Sequence, residues 1–171
     1  ILVTGGAGYI GSHMVLALRD AGEAPVVLDN LSTGTRLAVP DGVPFYQGDC
    51  GDAALVGSIL KEREIDTIIH FAASIVVSES VADPLAYYEN NTVKSRSLIE
   101  AAVRAGVARF VFSSTAAVYG NPQGVPVRED SATAPINPYG RSKLMIEWML
   151  ADIARVSPLK YCALRYFNVA G

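Results

Sequence analysis

The chain is poor in charge: only 18% of its 171 residues are Asp, Glu, Lys or Arg, against about 25% in an ordinary soluble domain. It is poor in cysteine as well, with Cys50 and Cys162 alone. Two thiols so far apart form neither a disulfide framework nor a metal-ligand spacing, so a reducing, cytoplasmic setting is expected. A basic excess is missing too. Lys and Arg total 14 against 17 Asp and Glu, a net charge of −3, which gives no support to nucleic-acid or anionic-membrane binding. No run approaches the roughly 18 uninterrupted apolar residues of a membrane span. No signal peptide is visible, and Ile1 opens inside a strand-like run, so a native start upstream is expected. His13 and His70 have no ligand-spaced Cys or acid beside them, so no metal site is expected.

What the chain does have is apolar residues, 50% of the total, and a positive mean hydropathy of +0.28. That supports one substantial domain with a large core and excludes disorder. It also leaves fewer charges than a small free-standing surface usually carries. Part of the surface is therefore expected to be covered by something else.

Short apolar runs alternate with helix-length amphipathic stretches. Strands are predicted at 1–3, 26–28, 44–47, 66–71, 109–113 and 161–165. Helices are predicted at 9–21, 52–63, 84–105 and 138–155, from their apolar spacing and from Pro84 and Pro138 near two of the starts. Strands separated by helices or long crossovers predict a mostly parallel sheet covered on both faces. Right-handed crossovers make it an α/β doubly wound (Rossmann) fold with strand order 3-2-1-4-5-6. There is no internal repeat, low-complexity segment or linker. The last strand runs into 168–171 without a closing helix, so residues 1–171 are expected to be one nucleotide-binding domain truncated at its C-terminal end.

Thr4-Gly5-Gly6-Ala7-Gly8-Tyr9-Ile10-Gly11 joins the first strand to the first helix. Gly5 permits the tight turn, Gly8 lets backbone amides approach a pyrophosphate, and Gly11 lets helix and strand pack closely. The helix N-terminus adds partial positive charge for the anion. An isolated glycine triad is weak, but the strand–turn–helix context is the one a nucleotide loop needs. Asp29 ends the second strand, near the spacing of a ribose-binding acid. Its carboxylate would accept from a 2′-hydroxyl and repel a 2′-phosphate, which predicts NAD over NADP. Asp49, after the third strand, could face an adenine amino group or equally cap the helix that starts near Asp52.

Tyr139 and Lys143 lie four apart on one helix face. Turning a phenol into a base near pH 7 means lowering its pKa by roughly three units, about 4 kcal/mol of preferential phenolate stabilisation. An ammonium and an oxidised nicotinamide, both cations, could supply this in a water-poor site. Ser113-Ser114-Thr115 ends the fifth strand with hydroxyls. His70-Phe71-Ala72-Ala73 ends the fourth with small residues that leave room for a ring. His70 itself is expected to pack or hydrogen-bond there.

Together these segments resemble the cofactor half of the extended short-chain dehydrogenase/reductase (NAD-dependent epimerase/dehydratase) family, in its UDP-glucose 4-epimerase branch. The resemblance rests on TGGAGYIGSH (4–13), LDNLSTG (28–34), HFAASIVVSES (70–80), YYENN (87–91), FSSTAAVYG (112–120), NPYGRSK (137–143) and LRYFNVAG (164–171). It implies interconversion of UDP-glucose and UDP-galactose through transient oxidation at sugar C4. Tyr139 would be the base, Lys143 would lower its pKa and hold the nicotinamide ribose, and Thr115 would bond the same sugar oxygen. Tyr9, Ile10, Asp29, Asn30, Asp49, Cys50, Phe71, Ala72, Ala73, Asn90 and Phe167 match cofactor-contact positions, and Asn168 a position near the substrate diphosphate. Ile75 departs from a lysine that some members use on the cofactor. The resemblance also implies a homodimer through the 84–105 and 138–155 helices, with Trp148 as an anchor. The stripe Leu144, Met145, Trp148 and Met149 fits either that face or the core, and Tyr87 and Tyr88 fit the core or a cofactor wall.

Related 4,6-dehydratases resemble this scaffold but carry Asp-Glu directly after the strand-five Thr. Here those positions are Ala116 and Ala117, which cannot move a proton. UDP-glucuronate epimerases and decarboxylases remain as alternatives, as does a non-catalytic NAD-binding fragment. The chain alone is expected to lack epimerase activity, because few of its residues could hold uridine and glycosyl groups.

Overall fold

Strand β1 (Leu2–Thr4) lies at the centre of a sheet, flanked by β2 (Val26–Asp29) and β4 (Thr67–His70). Beyond them lie β3 (Phe45–Gln47), β5 (Arg109–Ser113) and β6 (Lys160–Leu164), in the order β3-β2-β1-β4-β5-β6. All five pairings are parallel. The predicted order therefore holds. The computed structural model describes residues 1–169 except 123 and 125. Part of the 120–138 loop and the end of the 164–171 motif thus lie outside the described residues.

The strand period of two divides the core. Leu2, Leu28, Ile68, Phe110 and Phe112 face one layer with Val56, Ile59, Leu98, Ile146 and Leu150, which come from helices α2 (Ala53–Glu62), α5 (Lys94–Arg104) and α6 (Pro138–Val156). Val3 and Val27 face the opposite layer with Val15 of α1 (Tyr9–Asp20) and with Val39 and Val43. Each such buried aliphatic contributes about 1.5–3 kcal/mol.

Side-chain caps start both α2 and α6. Asp52 accepts from the Ala54 and Leu55 amides at the start of α2, so Asp52, not Asp49, is the cap. Asn137 accepts from the Gly140 amide at 2.8 Å and Pro138 follows it, a start suited to α6.

The region read as one helix at 84–105 is three pieces: α4 (Pro84–Tyr87), a π-helical segment (Tyr88–Val93) and α5. A further short helix, α3 (Val77–Ala82), was not predicted, because its sequence VSESVA carries no helical apolar period. The fourth strand is shorter than expected at both ends, and the sixth starts and ends one residue earlier, at Lys160 and Leu164.

Candidate active site

The glycine loop sits where β1 meets α1. Gly5 takes φ of +72°, and a Cβ there would lie 2.6 Å from the Ala72 amide nitrogen. The loop therefore presses on the end of β4, which places Phe71, Ala72 and Ala73 beside it. Gly8 caps α1 in an extended conformation with no side chain closing the helix N-terminus. Tyr9 is half exposed at the start of that helix, and its ring meets His13 edge-on at 4.9 Å.

Asp29 is buried and holds this loop together. One carboxylate oxygen accepts from the Ala7 amide at 3.0 Å, the other from the Leu31 amide at 2.8 Å. Asn30 turns its oxygen to the Ser32 amide. Asp49 accepts from the Gly51 amide at 2.8 Å and pairs with Lys94 at 2.6 Å. Burial pushes its carboxyl up, but Lys94, Gly51 and Asn30 together outweigh that and hold it below the usual range. Cys50 is buried, and burial pushes its thiol up to about 12.

His70 closes β4 from below. The Ser95 hydroxyl donates to the Asn91 carbonyl, so the His70 Nε2–H must donate to Ser95, at 2.8 Å. That leaves His70 Nδ1 as acceptor for the Thr4 hydroxyl at 2.6 Å. The ring is neutral with its proton on Nε2. Burial, with Lys143 nearby, lowers its pKa to about 3.

The π-helical segment aims two consecutive asparagines at one residue. Asn91 accepts from the Ser74 amide at 2.8 Å and donates to the Ser74 carbonyl at 3.0 Å, while Asn90 donates to the Ser74 hydroxyl at 2.9 Å. Asn91 also donates to Ser142, which lies between Tyr139 and Lys143 on α6. A regular helix would separate adjacent side chains by about 100°, and a π turn is a recurrent device for such re-aiming.

Helix α6 then brings three polar side chains, at 139, 143 and 147, onto one stripe beneath the end of β5. The Thr115 hydroxyl lies near enough to the Tyr139 phenol to act on its titration. Lys143, 2% exposed, donates to the Ser113 carbonyl at 2.9 Å and sits 5.0 Å from the Phe112 ring centre. Ser114 donates to Glu147. Burial raises the Tyr139 phenol, opposed by the Thr115 hydroxyl. Burial also lowers Lys143 to about 7, opposed by Cys50. Burial thus favours the neutral form of both residues, with the Thr115 hydroxyl opposing it at the phenol.

The predicted site residues lie at the carboxyl ends of β1 to β5, on the π-helical segment (Asn90) and at the start of α6 (Tyr139, Lys143), while Phe167 and Asn168 are exposed past β6. Ile75 is exposed as well. Of the aromatic pair, Tyr87 is core, donating to the Val76 carbonyl at 2.7 Å. The α6 apolar stripe divides: Leu144 packs with Val118 and Tyr119, Met149 against the main core, and Trp148 is 57% exposed. Sequence reasoning missed Glu147, whose signal was the four-residue step continued beyond Lys143. It also missed the buried Ser95 and Asn91 around His70. Among the described residues, no group of three or more His, Cys, Asp and Glu could hold a metal, and no helix is long and apolar enough to cross a membrane.

The chain matches the NAD dependent epimerase/dehydratase family over residues 1–171. It is 56% identical over 171 residues to the UDP-glucose 4-epimerase of Azospirillum brasilense, covering 100% of this chain and 49% of that protein. Among solved structures, the UDP-glucose 4-epimerase of Brucella ovis in complex with NAD superposes with a TM-score of 0.95 at 49% identity, covering 98% of this chain and 51% of that one. The Thermotoga maritima UDP-glucose 4-epimerase with UDP-glucose gives 0.95 at 38% identity, covering 99% and 56%. The chain spans about half the length of the curated relatives it matches. On sequence and topology, the chain belongs to the NAD-dependent epimerase/dehydratase family.

Proposed function

We propose that the protein carrying this chain interconverts UDP-glucose and UDP-galactose, and that residues 1–171 are its NAD-binding half. The observation that carries the reading is Tyr139 and the buried Lys143 on one helix face beneath the end of β5, with the Thr115 hydroxyl near the phenol. The loop fits a dinucleotide: Gly5 and Gly11 let the loop, the end of β4 and α1 pack backbone to backbone, and the α1 N-terminus at Gly8 has no side-chain cap, which leaves it open to an anion. NAD, when bound, would accept hydride from sugar C4 and return it. Gly5, Gly8, Tyr9, Ile10 and Gly11 would hold its pyrophosphate side, Asp29 and Asn30 its adenosine ribose, and Asp49 and Cys50 its adenine. Phe71, Ala72, Ala73, Asn90 and Phe167 would line the remainder.

Tyr139 takes the proton of the sugar 4-hydroxyl as that carbon loses hydride, and gives it back when hydride returns to the opposite face. Thr115 bonds the same oxygen and keeps the phenol oriented. Lys143 holds the nicotinamide ribose hydroxyls. Its cation and that of the oxidised nicotinamide ring together favour the phenolate that burial alone disfavours. Asn168 lies where the substrate diphosphate would run. Ala116 and Ala117 offer no acid or base for dehydration.

The exposed apolar side chains of α3, α4 and α6, among them Val81, Leu85 and Trp148, support a homodimer through the 84–105 and 138–155 helices. Two free cysteines fit a cytoplasmic location. The test is conversion of UDP-galactose to UDP-glucose by the natural-length protein, with UDP-glucuronate and UDP-N-acetylgalactosamine in parallel. Tyr139→Phe is expected to lower kcat by about a hundredfold or more. Turnover of UDP-glucuronate alone would reassign the substrate, and unchanged kcat in Tyr139→Phe would remove the base.

A further inference from the structure

The ion pair next to this site has no part in the chemistry above. Glu147 is 6% exposed, yet each of its oxygens is satisfied. Arg165 Nε lies 3.0 Å from both oxygens and Nη2 lies 2.6 Å from Oε2, while the Ser114 hydroxyl donates to Oε1. Arg165 is itself held from the other side. Its Nη1 donates to the Tyr119 hydroxyl and to the Glu129 carbonyl, both at 3.1 Å, and the guanidinium stacks over the Tyr119 ring at 5.1 Å.

The register of these contacts is the informative part. Three consecutive residues leaving β5 meet three residues of one α6 stripe. The Ser113 carbonyl accepts from Lys143 and Ser114 donates to Glu147, while the Thr115 hydroxyl stands near the Tyr139 phenol. The turn Ala116–Tyr119 that follows is held by main-chain bonds, from the Val118 amide to the Thr115 carbonyl at 3.3 Å and from the Ala116 amide to the Tyr166 carbonyl at 3.0 Å, while the Thr115 hydroxyl accepts from the Ala117 amide at 3.1 Å. Ser114, 2% exposed, is the residue through which the rigid pair can set where that turn starts.

We infer that Glu147 and Arg165 are positioning residues that, through Ser114, fix the turn presenting the Thr115 hydroxyl to Tyr139. The inference rests on the reading of Thr115 and Tyr139 as the proton-handling pair. A brace that only stabilised the fold would act equally whether or not Thr115 had its hydroxyl. A positioning device loses its effect once that hydroxyl is gone.

The experiment is therefore a double-mutant cycle in the natural-length protein, read in kcat, in KM, and in the titration of Tyr139 followed by NMR of 13C-labelled tyrosine. Ser114→Ala leaves the Glu147–Arg165 pair whole and is expected to fold, which keeps the test open if Glu147→Gln does not. With Ser114→Ala, kcat for UDP-galactose should fall about tenfold or more with KM within about twofold, as expected when a reacting group is displaced slightly. The Tyr139 phenol should titrate higher. In a Thr115→Ala background, the same change should have no further effect on either. Glu147→Gln, where it folds, should follow Ser114→Ala. If Ser114→Ala and Glu147→Gln lower only the melting temperature, or if the Ser114 and Thr115 effects add in full, the pair is a brace and the inference is wrong. A parent that never turns over UDP-galactose but whose Tyr139 titration follows this pattern would overturn the substrate reading and support the positioning.

Discussion

Replacing Gly11 with alanine would put a methyl carbon 2.1 Å from the Gly5 carbonyl oxygen, 2.8 Å from the Gly5 carbonyl carbon and 2.9 Å from Gly6 Cα. All three are backbone atoms, so no rotamer change can relieve the clash. Carbon–oxygen contacts ordinarily start near about 3.3 Å, so the loop and the helix must part by about an ångström. The loop is not free to move. Gly5 N–H is bonded to the Leu28 carbonyl at 2.9 Å, and Gly8 N–H to the Gly5 carbonyl at 3.1 Å. Overpacking costs about 1–3 kcal/mol, and against backbone that cannot give it takes the upper part of that range, about 2–3 kcal/mol, of which alanine's better helix propensity returns about 1 kcal/mol. Gly57 in α2 is the control, because a Cβ there meets nothing within 4 Å. Gly57→Ala keeps the propensity gain of about 0.5–1 kcal/mol with nothing against it. The same substitution in two helices should therefore move stability in opposite directions. At about 2–4 °C per kcal/mol for a domain of this size, Gly57→Ala should raise Tm by about 1–4 °C, and Gly11→Ala should lower it by about 2–8 °C. NAD affinity, measured by calorimetry, should fall in Gly11→Ala and hold in Gly57→Ala. A Gly11→Ala protein as stable as the parent would refute the steric account of this loop.

Three further expectations follow from buried and exposed groups. His70 has a folded pKa of about 3, below its ordinary value of 6.5, so the unfolded chain binds the extra proton; stability should be flat above about pH 6.5 and fall below it, by up to about 1.4 kcal/mol per pH unit. Urea midpoints at pH 7.5 and 5 test this, and equal midpoints would remove the buried neutral ring. Lys143 is held at about 7 against an ordinary 10.5, so its penalty on folding is complete below pH 7 and disappears as pH rises toward 10.5. Lys143→Met should accordingly be more stable than the parent at pH 6, with the gap closing by pH 10, while NAD-dependent turnover in the natural-length protein is lost; a Met variant less stable at pH 6 would contradict it. Trp148→Glu should shift the protein toward monomer in sedimentation velocity, and an unchanged profile would take Trp148 out of the interface.

The fold was legible because its signals were local and repeated. Val3 and Leu2, and likewise Val27 and Leu28, alternate faces in runs too short for helices, and Gly, Asp and Asn stand at the strand ends. The helix predicted at 138–155 was marked by Pro138 at its start. The π-helical segment was not legible, since Tyr-Tyr-Glu-Asn-Asn-Thr-Val keeps a helical composition throughout. What widens the turn is tertiary: the bonds from Asn90 and Asn91 to Ser74, a residue on another element. Asp49 misled for a related reason. A carboxylate three residues ahead of a helix can cap it, but Lys94 from α5 takes this one, and no local pattern shows that partner.

The site was legible by residue type and not by electrostatics. Tyr139 and Lys143 sit where their spacing put them, but spacing alone suggested that the lysine pulls the phenol down. In the folded chain both groups are pushed toward neutrality by the same dry surroundings, with the Thr115 hydroxyl opposing this at the phenol. This is the arrangement expected if charge is to develop there only in company. A buried ammonium with one carbonyl partner is poor for stability, and a methionine of similar volume would pack against Phe112 without that cost. A strongly shifted group held in place by such an unfavourable arrangement marks a site of chemistry more than one of packing. By the same reasoning Glu147, whose every oxygen is matched, works as a fixture. It has a fixed position to impart, and its bond to Ser114 carries that position to the residue next to Thr115.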